Sequence, residues 1–182
     1  LDKSKLIKMT NFDQKYKVAV FSETTLHRFK NFKNFILSSS AEKFFLEKPL
    51  SNSLNEVNLI LKLAEKHNLK KKIQVNLIRR QWPHIKTIKE FCDKEEDFTL
   101  TVNGGSLGLG CNGVHFIDNL IHFSNEECPK IKWVEICKDR VNSGRGKEFI
   151  DFGGNFILKT KKGTLFCSLS SKSSANAIMT IR

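Results

Sequence analysis

No run in this sequence approaches the ~20 uncharged apolar residues that a membrane-spanning helix needs, so no membrane partner is expected. The five cysteines, Cys92, Cys111, Cys128, Cys137 and Cys167, form no C-x-x-C pair. An odd, scattered set argues against a disulfide framework and a structural zinc site and fits reduced thiols, so no bound metal is expected. Leu1 to Thr10 contain neither an apolar core nor a small-residue cleavage site, and the chain reads as cytoplasmic. Zinc-finger, RNP and helix-turn-helix signatures are also missing. Acidic residues are the minority, 19 against 31 basic, which leaves a net charge of +12 over 182 residues. The basic clusters, Lys70-Lys71-Lys72 and Lys159, Lys161 and Lys162, fall where turns are expected. The charge therefore reads as solvated lysines rather than a phosphate-tracking surface, and no nucleic-acid partner is expected.

What is present can fill a core, since 40% of the residues are hydrophobic and 27% charged. Tyr16 to Phe21 is a short β-branched apolar run that ends at the polar stretch Ser22-Glu23-Thr24-Thr25, which predicts a strand running into a loop. From Leu26 to Leu37, Phe29, Phe32, Phe35 and Ile36 recur at helical spacing. Phe44-Phe45-Leu46 predicts a second strand, followed at once by Glu47-Lys48-Pro49-Leu50. Ser53 with Glu56 forms a capping-box pattern ahead of a helix with a Val57, Ile60, Leu61, Ala64 stripe. Ile73 to Ile78 predicts a third strand. Strand, helix, strand, helix, strand implies a parallel sheet with right-handed crossovers.

The character then changes. Pro83 opens a helix carrying Ile85, Ile88 and Phe91, and Phe98 to Val102 predicts a strand. The glycine-rich stretch Gly104 to Gly113 leads into a helix around His115 to Phe123. Strands over Ile131–Cys137, Phe149–Thr160, Leu165–Leu169 and, more weakly patterned, Ala177–Ile181 suggest a mainly antiparallel sheet. The expected division is residues 1–79, a partial Rossmann-like domain, and residues 80–182, an α+β domain.

Candidate chemistry lies first in the loops after the parallel strands, where open α/β sheets bind ligands. These loops carry Ser22, Glu23, Thr24, Thr25 and His27, and then Glu47-Lys48-Pro49. A lysine there can hold a hydroxyl or stabilise a developing alkoxide, with Pro49 fixing the backbone that aims it. Strand termination is the plainer role for the same pair. Arg79-Arg80 suit an anionic or polyhydroxylated ligand, or an inter-domain salt bridge. Within Gly108 to His115 the glycines would let backbone pass close to a ligand, and His115 can work as a general acid or base, with Asp118 one turn further on. His122, on the same helix, fits a structural role better.

Three strings together resemble the glucose–fructose oxidoreductase, inositol dehydrogenase and MocA family of NAD(P)-dependent oxidoreductases. Glu47-Lys48-Pro49-Leu50 resembles its E-K-P motif. The string V-x-x-x-R-R-x-x-P from Val75 to Pro83 resembles its N-R-R-F-D-P region, and Gly113-Val114-His115-Phe116-Ile117-Asp118 its D-x-G-x-H-x-x-D motif. The resemblance implies an oxidoreductase acting on a sugar, nucleotide sugar or related polyol with NAD or NADP. Lys48 and His115 would be catalytic. Ser22, Thr24, His27, Glu47, Lys48 and Pro49 would border the cofactor, and Arg80, Cys111 and Asn112 would line the substrate side. A homo-oligomer formed through the C-terminal sheet is expected as well.

Two departures accompany the resemblance. Family members begin with a strand and a G-x-G-x-x-G turn that cradles the pyrophosphate on a helix N-terminus. No such turn stands before Tyr16, and the glycines from Gly104 to Gly110 come too late. The expectation is therefore a fragment lacking the first strand and glycine loop, and one that binds cofactor poorly by itself. Cys111 stands where the motif has its first aspartate, so the hydroxyl-binding pattern must differ. Both departures also fit an alternative, a non-catalytic relative acting as ligand-binding sensor or scaffold.

Overall fold

The computed structural model describes residues 15–182 apart from positions 106, 144, 145 and 171. The leader-peptide reading of Leu1 to Thr10 lies outside the described residues. The chain divides into two compact units between Asn76 and Leu77.

The first unit is built from β1 (Lys15–Phe21), α1 (Thr25–Ser38), β2 (Ser40–Glu47), α2 (Leu54–Lys66) and β3 (Ile73–Asn76). Its sheet has the order β1-β2-β3, parallel throughout. Alternation along β1 buries Ala19 and Phe21 and leaves Val18 and Val20 exposed. Phe21, Phe32, Phe35 and Phe44 interlock edge-to-face with ring centroids 5.5 to 5.9 Å apart, the geometry that ring quadrupoles favour. In α2 the Ser53 hydroxyl accepts the Glu56 amide, but the Glu56 carboxylate turns to the Ser51 hydroxyl at 2.6 Å instead of closing the box on Ser53. The buried stripe is Ile60 and Ala64 with Leu63 packed beside them, while Leu61 is exposed.

The second unit contains a 3-10 turn (Ile78–Gln81), α3 (Pro83–Lys94), β4 (Phe98–Gly105), α4 (Leu109–Ser124), β5 (Lys130–Asn142), β6 (Ile150–Lys159), β7 (Gly163–Ser170) and β8 (Ile178–Ile181). Its five-stranded sheet has the order β5-β6-β7-β4-β8, antiparallel except where β4 runs parallel to β7. α4 packs across β6 and β7 with α3 against it. The core alternates along the strands as Phe98, Leu100 and Val102, then Leu165, Cys167 and Leu169. Other strand side chains remain exposed. Trp133 pairs with Ile157, and Ile157 with Phe166, so these three form a row across one sheet face, and both Trp133 and Phe166 are exposed.

Three sequence expectations are corrected. The third strand ends at Asn76, because the backbone bends at Leu77 (φ −102°, ψ 60°) into the 3-10 turn that carries Arg79 and Arg80. α3 buries Ile85 and Cys92, leaving Phe91 exposed; spacings of three and four both fit a helix face, and the second applies here. α4 starts at Leu109, so His115 lies inside the helix rather than opening it.

Candidate functional site

In the first unit, parallel pairing with Phe21 opposite Leu46 and Glu47 opposite Asn76 brings the carboxyl ends of the three strands to one edge. Ser22, Thr24 and His27 stand exposed there, with Glu23 half-buried. Thr24 is the N-cap of α1 and makes no side-chain cap bond, while its carbonyl accepts the His27 amide at 3.2 Å. Beside them runs the turn Glu47-Lys48-Pro49, half-buried, with a cis peptide between Lys48 and Pro49. The Glu47 carboxylate accepts from the Asn76 side-chain amide, tying β2 to β3 where they end.

Arg28 organises this edge, and the sequence reading passed over it. It is 2% exposed although it lies on the apolar face of α1 with Phe32 and Phe35. Nη1 donates to the Pro49 carbonyl at 2.8 Å and to the Glu47 carbonyl, while Nη2 donates to the Glu23 carbonyl. One planar guanidinium thus joins the loop after β1 to the backbone on both sides of Lys48. The available signal was its spacing, since Thr25, Arg28, Phe32 and Phe35 form one helical stripe with a cation in it.

In the second unit, Cys111, His115, Asp118 and His122 recur at helical spacing along α4. His115 and Asp118 are buried, and Cys111 and Asn112 half-buried. Arg80 grips Asp118 with two nitrogens, Nε at 2.9 Å and Nη2, and this carboxylate raises the guanidinium pKa. Both members of the pair lie in the second unit. The Asn112 side-chain amide turns back to the Gly108 carbonyl at 3.3 Å. Burial lowers the His122 pKa, helped by the Arg80 and Lys89 charges.

The glycines are explained by the chain itself. A Cβ at Gly108 would collide with the Asp151 carboxyl, one at Gly104 with Ala177 and one at Gly105 with Ser173. Asp151, buried in β6, accepts the Gly110 amide at 2.9 Å and so caps α4 from a strand. That cap was not legible, because its partner is 41 residues away.

The donor set at the first-unit edge, the Ser22 and Thr24 hydroxyls and the Lys48 ammonium, fits the ribose and nicotinamide side of a dinucleotide. Among the described residues no glycine-rich turn precedes α1. No group of three His, Cys, Asp or Glu side chains among the described residues is placed to hold a metal ion.

No family model and no curated protein matches the chain. Solved structures do. The dehydrogenase MviM from Clostridium difficile is similar with a TM-score of 0.67 at 16% identity, over 91% of this chain and 54% of that one. The myo-inositol dehydrogenase from Lactobacillus casei, solved with NAD(H) and myo-inositol, gives 0.65 at 14% identity, over 90% and 51%. The WlbA dehydrogenase from Thermus thermophilus, solved with NAD and UDP-GlcNAcA, gives 0.61 at 13% identity, over 91% and 58%. The chain spans about half the length of these neighbours, and across that half it shares the fold of these dehydrogenases, a partial Rossmann-like sheet followed by an α+β unit.

Proposed function

We propose that the protein carrying this chain is an NAD(P)-dependent oxidoreductase acting on a sugar, nucleotide sugar or related polyol. The observation that carries the reading is the Glu47-Lys48-Pro49 turn, fixed at the strand edge by the buried Arg28. A bound nicotinamide supplies hydride exchange. Ser22, Thr24, His27, Glu47, Lys48 and Pro49 border it, and Lys48 holds and polarises the reacting hydroxyl. His115, buried on α4, exchanges the proton of that hydroxyl. Arg80, Cys111 and Asn112 face the substrate, Arg80 through the donors that Asp118 leaves open. The exposed row through Trp133 and Phe166 supports homo-oligomerisation through the second-unit sheet, and no helix among the described residues is long and apolar enough to cross a membrane. The proposal places the enzyme in the cytoplasm.

One observation favours a second reading, a ligand-binding relative without turnover: Cys111 replaces the aspartate that the resemblance leads one to expect. The test uses the protein expressed from its complete reading frame, titrated with NAD and NADP and assayed with myo-inositol and UDP-sugars by nicotinamide absorbance. Lys48→Ala and His115→Ala are each expected to cut turnover by about 10²–10⁴-fold, far more than they weaken cofactor binding. Undiminished turnover in either variant overturns the assigned roles. Cofactor binding without turnover on any of these substrates supports the sensor.

A further inference from the structure

The second unit contains a pocket that none of the residues assigned above enters. It measures about 410 Å³, within the range of small-molecule sites. Its walls are Arg79, Trp82 and His84 from the 3-10 turn and the start of α3, Phe116 and Asn119 from α4, and Met179 from β8.

Two of these side chains are not accounted for by the fold. The Arg79 guanidinium lies between two rings, its carbon 5.1 Å from the Phe116 centroid and 5.5 Å from that of Trp82. It is half-buried, and none of the ion pairs among the described residues includes it, in contrast to Arg80 and its partner Asp118. Asn119 is 1% exposed; among the described residues its amide nitrogen meets only the Met179 sulfur at 3.5 Å, and its Oδ1 accepts from none of them. Buried amide oxygens are nearly always satisfied. Phe116 and Asn119 are three residues apart on α4 and therefore neighbours on one helix face, about 5–6 Å between Cβ atoms. Among the described residues, a cation without a counter-charge and an acceptor without a donor thus line one pocket together with the Trp82 and Phe116 rings and the Met179 thioether.

The geometry points to a binding site for a small organic carboxylate that also carries an O–H or N–H donor. Its carboxylate meets the Arg79 fork, which matches a planar two-oxygen acceptor. Its apolar body lies against Trp82, Phe116 and Met179, and its donor satisfies Asn119 Oδ1. The site shares no residue with the oxidoreductase reading and stands or falls without it.

Calorimetric titration of this chain with 4-hydroxybenzoate, benzoate, phenol and inorganic phosphate tests the inference. Saturable one-site binding of 4-hydroxybenzoate is expected, with benzoate weaker and phenol weaker by about tenfold or more, the effect of one charge-assisted hydrogen bond. Arg79→Gln is expected to weaken 4-hydroxybenzoate by about tenfold or more and Arg79→Lys by less. Asn119→Leu is expected to bring 4-hydroxybenzoate down to the level of benzoate while benzoate itself is unchanged. Should Asn119→Leu fail to fold, judged by its thermal unfolding, the ligand series and the Arg79 variants decide. Absence of saturable binding, equal binding of phenol and 4-hydroxybenzoate, phosphate binding as tightly as the carboxylates, or unchanged affinity in Arg79→Gln overturns the inference.

Discussion

Replacing Arg28 by methionine tests the physical basis of the strand edge. The guanidinium satisfies the carbonyls of Glu23, Glu47 and Pro49 from a side chain that is 2% exposed. Methionine retains much of the aliphatic stem, so the loss reports on hydrogen bonds more than on a cavity. Hydrogen bonds to a charged group contribute about 1.5–3 kcal/mol each. They share one head group here and do not add, so about 3–5 kcal/mol is expected, as for breaking a buried pair by removing one member. Buried ion pairs can sometimes be replaced by apolar side chains with little effect, because both charges go together. That escape is closed at this position, since the hydrogen bonds go to backbone carbonyls that no substitution removes, with the Glu23 carboxylate further off at 3.9 Å. Native stability is only about 5–15 kcal/mol, so the first unit of Arg28→Met should unfold well before wild type in urea, followed by circular dichroism. Arg28→Lys keeps the charge without the fork and should lose less. Hydrogen exchange at Leu50 and Ser51 should accelerate in both. A loss below about 1 kcal/mol in Arg28→Met would refute the argument.

The cysteines should separate by burial in a thiol-titration experiment on the native chain. Exposed Cys128 and Cys137 react first, half-buried Cys111 later, and Cys92 and Cys167, pushed up to about 11 and about 12 by desolvation, only on unfolding. The pKa of His122 is lower in the folded chain than the usual ~6.5, so the unfolded chain binds more protons and stability falls as pH drops below that value. Melting curves of His122→Gln should show a smaller loss over that acid range than wild type. Gly108→Ala drives a methyl group into the Asp151 carboxyl that caps α4, and a cost of about 1–3 kcal/mol should appear as a lower melting temperature.

The parallel half was legible because its signals are local. Strand, cap and stripe patterns announced β1 through α2, and the errors that remain have a common cause. Leu77 and Ile78 continue an apolar run that no period separates from a strand, yet the Arg80–Asp118 pair joins the following turn to a helix 38 residues on. The glycine-rich stretch suggested a ligand loop because composition cannot show that Asp151, Ala177 and Ser173 occupy the space a Cβ would need. Arg28 was hidden by its neighbours, as a lone cation among Phe29, Phe32 and Phe35 reads as a solvated position until its distant carbonyls are known. In each case the missing information was a contact with a residue distant in sequence, which hydrophobic periodicity does not encode.

The same logic bears on Cys111. It lies in the first turn of α4, where the helix dipole favours a carboxylate. The carboxylate of Asp151 already serves that turn, accepting the amide of Gly110, the residue next to Cys111, from a buried position. An aspartate at 111 would put a second negative charge beside the first at low dielectric, where like charges drive one another toward protonation. A cysteine avoids that repulsion and keeps the turn half-buried. Within the proposed oxidoreductase it also removes a hydroxyl acceptor from the substrate side, leaving Asn112, whose amide is turned to the Gly108 carbonyl, and the outer donors of Arg80.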